Sequence, residues 1–115
     1  MNSDVNLFLP KEQILHSSKD FLKLLKGGKR LRLDGFELIY GPNNLGYPRI
    51  GYIVSKKVSS KAVIRNRIKR IFREYFRHNK PLFGSNDIIF VCKKDISSWN
   101  LTMLGEVVGD SPDLH

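Results

Sequence analysis

Between Arg49 and Lys80 this chain places eleven of its twenty Lys and Arg residues and a single acid, Glu74. The same stretch, RIGYIVSKKVSSKAVIRNRIKRIFREYFRHNK, carries Ile64, Ile68, Ile71, Phe72, Tyr75 and Phe76 at helical spacing. On a wheel of about 100° per residue, Ile64, Ile68, Ile71 and Tyr75 share one side and Phe72 and Phe76 widen it. Asn66, Lys69, Arg70, Arg73 and Arg77 cover the opposite side, with Arg65 and Arg67 on the two borders. Such a helix has few options. Its apolar side must lie on a core, and its cationic side repels itself unless a polyanion neutralises it. Surface helices without such a partner interleave acids and bases as i,i+4 pairs. With Glu74 the only acid here, that lacing is missing.

The pattern predicts a helix from a Ser59 or Ser60 cap to near His78, ended by Lys80-Pro81. Upstream, Ser17-Ser18-Lys19-Asp20 has the hydroxyl-to-acid spacing of a helix start. Phe21, Leu22, Leu24 and Leu25 then form an apolar stripe, and Gly27-Gly28 is the stop, with glycine in the left-handed conformation. From Arg30 the period changes to two, through Arg30–Leu33 and Phe36–Leu38, with Asp34-Gly35 as a turn or bulge between them. Gly41-Pro42-Asn43-Asn44 reads as a loop and Tyr47–Ser55 as a strand, in which Gly51 marks a bulge or a close backbone approach. Asp87–Cys92 reads as a buried strand, and Trp99-Asn100-Leu101 opens a short last helix broken by Gly105 and Gly109. The order helix, strands, helix, strand, helix predicts one α+β domain, 1–115, a two-layer arrangement with helices on one face of a small sheet. Residues 1–16 form an N-terminal arm, anchored by Phe8, Leu9, Ile14 and Leu15, and residues 100–115 a short acidic end.

Net charge of +9 directs the search for a partner to a phosphate backbone, RNA before DNA, because no helix-turn-helix partner accompanies the basic helix. No apolar run approaches the roughly 20 residues that span a bilayer. The first residues, MNSDVNLFLPKEQ, lack the features of a signal peptide, which points to the cytoplasm. The lone Cys92, at the end of an apolar run, reads as a buried thiol. A self-sufficient nuclease needs clustered carboxylates or a His pair. The eleven acids are scattered, and His16, His78 and His115 have no ligand spacing. No catalytic side chain and no metal site is therefore assigned to the protein. Gly27-Gly28-Lys29 lacks the spacing of a nucleotide-binding loop.

One family joins these observations. Arg49-Ile50-Gly51, Val54-Ser55-Lys56-Lys57, the run KAVIRNRIKR from Lys61 to Arg70, and Arg73-Glu74 together resemble the signature of the bacterial ribonuclease P protein, at the same spacing. Asp20-Phe21, Gly28, Phe36 and the strand DIIFVCKK extend the similarity outward. The resemblance implies the small subunit of a ribonucleoprotein that removes the 5′ leader of precursor tRNA. It further implies that the RNA subunit, with its Mg²⁺ ions, carries out the hydrolysis, so the partners are that RNA and precursor tRNA, with no DNA and no membrane. The implied fold is a ribosomal-protein-like α+β sandwich with a left-handed βαβ crossover. Carried onto this chain, Lys56, Lys57, Lys61, Arg65, Asn66, Arg67, Lys69, Arg70 and Arg73 become contacts to the RNA subunit. Phe21, Phe36 and Tyr40 become candidates for a cleft, between the first helix and the sheet, that holds the leader. The chain departs from the pattern at Ile14, where the family carries a base, and in its short acidic end. The other reading of the same residues is a non-enzymatic RNA-binding protein, such as a ribosomal protein or an assembly factor.

Overall fold

The computed structural model describes residues 9–109; Phe8, Asp110 and Asp113, and with them part of the predicted arm and acidic end, lie outside the described residues. After a short 3-10 turn at Lys11–Gln13 come helix α1 (Ser18–Gly27) and strands β1 (Lys29–Arg32), β2 (Phe36–Pro42) and β3 (Arg49–Ile53). Helix α2 (Ala62–His78), a single turn α3 (Lys80–Phe83), strand β4 (Asn86–Cys92) and helix α4 (Leu101–Val108) follow.

The strands form one mixed sheet in the order β1-β2-β4-β3. β1 pairs antiparallel with β2 and β2 with β4, while β3 and β4 run parallel, joined through α2 and α3. A parallel pair needs such a crossover, because a tight turn cannot reverse the chain twice.

The register sorts every side chain onto a face, since paired residues point the same way and neighbours alternate. Leu31, Phe36, Leu38, Tyr40, Ile50, Tyr52, Ile88, Phe90 and Cys92 share one face. Against it lie Ile68, Phe72, Tyr75 and Phe76 of α2 and Leu104 and Val108 of α4. Five fully buried phenylalanines, Phe36, Phe72, Phe76, Phe83 and Phe90, dominate this core. Phe72 sits 4.9 Å from Phe90 and 5.6 Å from Phe36 by ring centroid, inclined rather than face to face. Aromatic pairs in such geometry add about 0.5–1.5 kcal/mol beyond their buried area.

The expectation of helices on one face is corrected here, because α1 packs on the other. There Leu15, Leu24, Ile39 and Ile89 form a second, smaller core. Phe21 lies so close to β3 that a Cβ on Gly51 would meet its ring at 2.7 Å, so Gly51 marks a close approach and not a bulge. β2 and β4 accordingly carry apolar side chains on both faces, as strands covered twice must. Two rows of the α1 face lie under the helix. A bidentate ion pair closes one end: Arg49 Nε and Nη2 donate to the two Asp87 oxygens at 2.8 and 2.7 Å. The carboxylate holds the guanidinium even more firmly protonated than usual.

Other departures have local causes. Gly28 ends α1 in an extended conformation (φ −73°), and glycine is needed there because a Cβ would sit 2.7 Å from the Leu24 carbonyl oxygen. Leu22 is 55% exposed, since α1 covers only part of the sheet. α2 has no Ser cap: Lys61 holds the cap position, and Ser59 Oγ instead accepts from the Lys61 amide. Gly105 lies inside α4, which Asn100 caps by accepting from the Met103 amide at 2.8 Å, and Gly109 (φ +58°) terminates it. Cys92 is buried, as expected; burial pushes its thiol up, and Sγ donates to the Lys94 carbonyl. The described part of the arm joins the sheet edge, where the Leu15 amide donates to the Ile50 carbonyl at 2.8 Å.

Candidate nucleic-acid interface

α2 is held from beneath by Ile68, Phe72, Tyr75 and Phe76, all buried. The buried stripe is thus centred nearer Phe72 than the wheel suggests, and Ile64 and Ile71 are half-buried at its margin. Asn66, Arg67 and Arg70 are exposed, and Lys69 and Arg73 half-buried, on the side away from the core. Among the described residues none of these five forms an ion pair with a carboxylate. Glu74 is taken by Arg77 at 2.7 Å, and that hydrogen bond holds its carboxyl below the usual range. The one acid of the helix therefore stays ionised next to Arg77 and forms no ion pair with Arg67, Lys69, Arg70 or Arg73.

Arg65 is the exception to solvation. Its guanidinium donates to the Ser59 carbonyl at 2.9 Å and pins the turn that precedes the helix. That turn, closed by the Val58 amide on the Ser55 carbonyl, presents Lys56 and Lys57 to solvent, and Lys61 is exposed beside them. Asn66, Arg67, Lys69, Arg70 and Arg73 thus line one groove, and the exposed Lys56, Lys57 and Lys61 belong to the turn just before the helix, which Arg65 braces.

The basic side is also concave. An open groove of about 530 Å³ runs between α2 and the edge strand β3, lined by Tyr52, Val63, Asn66, Arg67, Lys69, Arg70 and Arg73. Sequence reasoning missed Tyr52 and Val63. The signal for Val63 was its place on the cationic side of the wheel, and it is 64% exposed. Guanidinium forks match phosphate oxygens, and an aromatic ring among them suits a nucleobase.

The three predicted cleft residues separate. Phe21 lies, half-buried, on the α1 face. Phe36 and Tyr40 are buried on the opposite face, in the core beneath α2, so they do not line the space between α1 and the sheet. Pairing parity is the reason: in β2 it is Glu37 and Ile39 that point toward α1. The space is bounded instead by Phe21, Leu25, Ile53 and Val91, all half-buried. Among the described residues no cluster of His, Cys, Asp or Glu is suited to hold a metal ion, and no helix is long and apolar enough to cross a membrane.

Comparison with known proteins agrees with this geometry. The sequence model of the family Ribonuclease P matches residues 9–108. The ribonuclease P protein component of Syntrophus aciditrophicus is 40% identical over 93 residues, covering 80% of this chain and 77% of that protein. The solved RNase P protein of Thermotoga maritima superposes with a TM-score of 0.72 at 32% identity, over 83% of this chain and 90% of that one. The Staphylococcus aureus RNase P protein gives 0.75 at 26% identity, over 90% and 98%. In sequence motif, strand order and basic helix alike, the chain belongs to the ribonuclease P protein family.

Proposed function

We propose that α2 and the Lys56–Lys57 turn dock on the ribonuclease P RNA subunit, while the space between α1 and the open part of the sheet receives the 5′ leader of precursor tRNA. In this reading the protein positions substrate in the cytoplasm, and hydrolysis belongs to the RNA subunit and its Mg²⁺ ions. The protein offers no catalytic side chain to that step; its contribution is fixed charge and shape. One observation carries the reading. Asn66, Arg67, Lys69, Arg70 and Arg73 stand on a helix whose underside is locked into the core, with no carboxylate of the described residues paired to them. Cations fixed in this way bind a polyanion without ordering themselves first, and each neutralised phosphate releases counterions.

The test is cleavage. Added to the RNA subunit of its own cells at low Mg²⁺, the protein is expected to restore removal of the leader, because its cations replace part of the screening that Mg²⁺ otherwise supplies. RNA binding without any stimulation would instead favour a ribosomal-protein-like role.

A further inference from the structure

Two kinds of ion cluster occur on the α1 face, and they differ in a way that separates structure from binding. Asp87 is gripped bidentately by Arg49 at 2.7 and 2.8 Å, a closed pair. Glu37, also buried, is surrounded by three cations and held closely by none: Arg30 Nη1 donates a long hydrogen bond at 3.4 Å, Arg32 Nε lies at 3.5 Å and Lys93 Nζ at 3.9 Å. Tight charge-assisted contacts are about 2.7–2.9 Å, so these donors are gathered by the carboxylate but not consumed by it. One cation would neutralise Glu37; three leave an excess of positive charge. The Arg32 and Lys93 side chains are 88% and 58% exposed. Arg30 is also placed from the other side, because its Nη2 donates to the Leu25 carbonyl at the end of α1 at 2.7 Å. The four charged residues line a concave space of about 470 Å³ at the β1 end of the sheet, together with Leu33 and Phe36.

The position of this cluster is as informative as its charge. Pairing puts Arg32, Glu37, Val91 and Ile53 in one row across the sheet, with Lys93 next along β4. α1 lies over the neighbouring row of Ile39, Ile89 and Gly51 and leaves this one half-open. The open row begins at Ile53, just before the Lys56–Lys57 turn, and ends at Arg32 on the edge strand. Three strand spacings of about 4.8 Å make this path about 14 Å long.

We propose that Arg30, Arg32 and Lys93, gathered around Glu37, form a phosphate clamp at the β1 end of that row, which takes the backbone of the single-stranded leader after it has crossed Val91. The inference rests on the reading that the leader lies on the α1 face. The cationic surplus fits a phosphodiester, and the half-buried apolar floor between the two basic ends fits unpaired bases. Glu37 acts as a positioning residue: it holds three like charges together that would otherwise diverge.

The experiment uses holoenzyme reconstituted with the RNA subunit and precursor tRNAs with leaders of about two and about ten nucleotides, the longer within the reach of single-strand sites. Wild-type protein should bind the longer leader more tightly. The double variant Arg32→Ala, Lys93→Ala, which alters two exposed side chains, should shrink the long-to-short affinity ratio by about tenfold and reduce its salt dependence by about 0.7 in log–log slope per lost contact. Glu37→Gln releases the three cations from their common anchor and should lower the same ratio a few-fold while leaving affinity for the short-leader substrate unchanged, a selective loss that a purely structural carboxylate would not produce. A ratio that is leader-dependent in wild type and identical in the double variant would overturn the clamp and leave the groove standing. A wild-type holoenzyme indifferent to leader length would overturn both.

Discussion

Phe72→Ala is expected to lower the unfolding free energy by about 3–5 kcal/mol, the cost of emptying an aromatic site in a packed core. Phe72 is fully buried, touches Phe36 and Phe90, and belongs to the helix that carries the cations. Domains of this kind have only about 5–15 kcal/mol of stability in all, so the variant sits near the edge of folding. Denaturant unfolding with an unchanged slope would report the loss cleanly. Val63→Ala, on the same helix but exposed, should shift stability by no more than about 0.5 kcal/mol. Val63 lies in the basic groove, so its variant is read in binding and hardly in melting. A Phe72→Ala protein as stable as wild type would mean that the apolar underside does not hold the charged face in place.

Affinity for the RNA subunit should fall by about a thousandfold or more between 50 and 200 mM monovalent salt, the range for roughly six to ten phosphate contacts. Lys56, Lys57, Lys61, Arg65, Arg67, Lys69, Arg70 and Arg73 supply eight cations from α2 and the turn before it. Glu74 does not offset them, because Arg77 occupies it. Arg70→Ala and Arg73→Ala should each lower the log–log salt slope by close to one unit. A filter-binding titration over this range reads both quantities, and a flat salt dependence would exclude the phosphate backbone as the ligand.

How much of this was legible in the sequence depended on whether one periodicity or two governed the residue. α2 was readable because a single stripe, Ile68, Phe72, Tyr75 and Phe76, meets a single core, and everything opposite it is cationic. At Gly51 the sequence left a bulge and a close approach both open, because the partner that decides between them, Phe21, is far away in sequence. The facing of β2 was not readable. FELIY is apolar at four of five positions, and a shift of one residue reverses the whole set. Only the pairing with β1 and β4 shows that Phe36 and Tyr40 go down to α2 while Glu37 and Ile39 face α1. Glu37 was the available clue, since a carboxylate inside an apolar run needs cations nearby. Its three partners come from β1 and from beyond the end of β4, and no local pattern joins them. Leu22 misled for a related reason: the stripe on α1 is real, but the helix covers only half a sheet face and one leucine projects beyond it.

That the cationic face of α2, and not cationic charge in general, binds the RNA subunit is tested most directly by two triple variants of equal charge change. Arg67→Ala, Arg70→Ala, Arg73→Ala strips three arginines of the α2 groove; Lys19→Ala, Lys23→Ala, Lys26→Ala strips the exposed lysines of α1. At about 0.15 M salt, where long-range screening is strong, the α2 triple should bind the RNA subunit at least about a hundredfold more weakly than wild type. The α1 triple should lose only a few-fold. Equal losses from the two helices, with both proteins melting like wild type, would contradict a dedicated RNA-docking face.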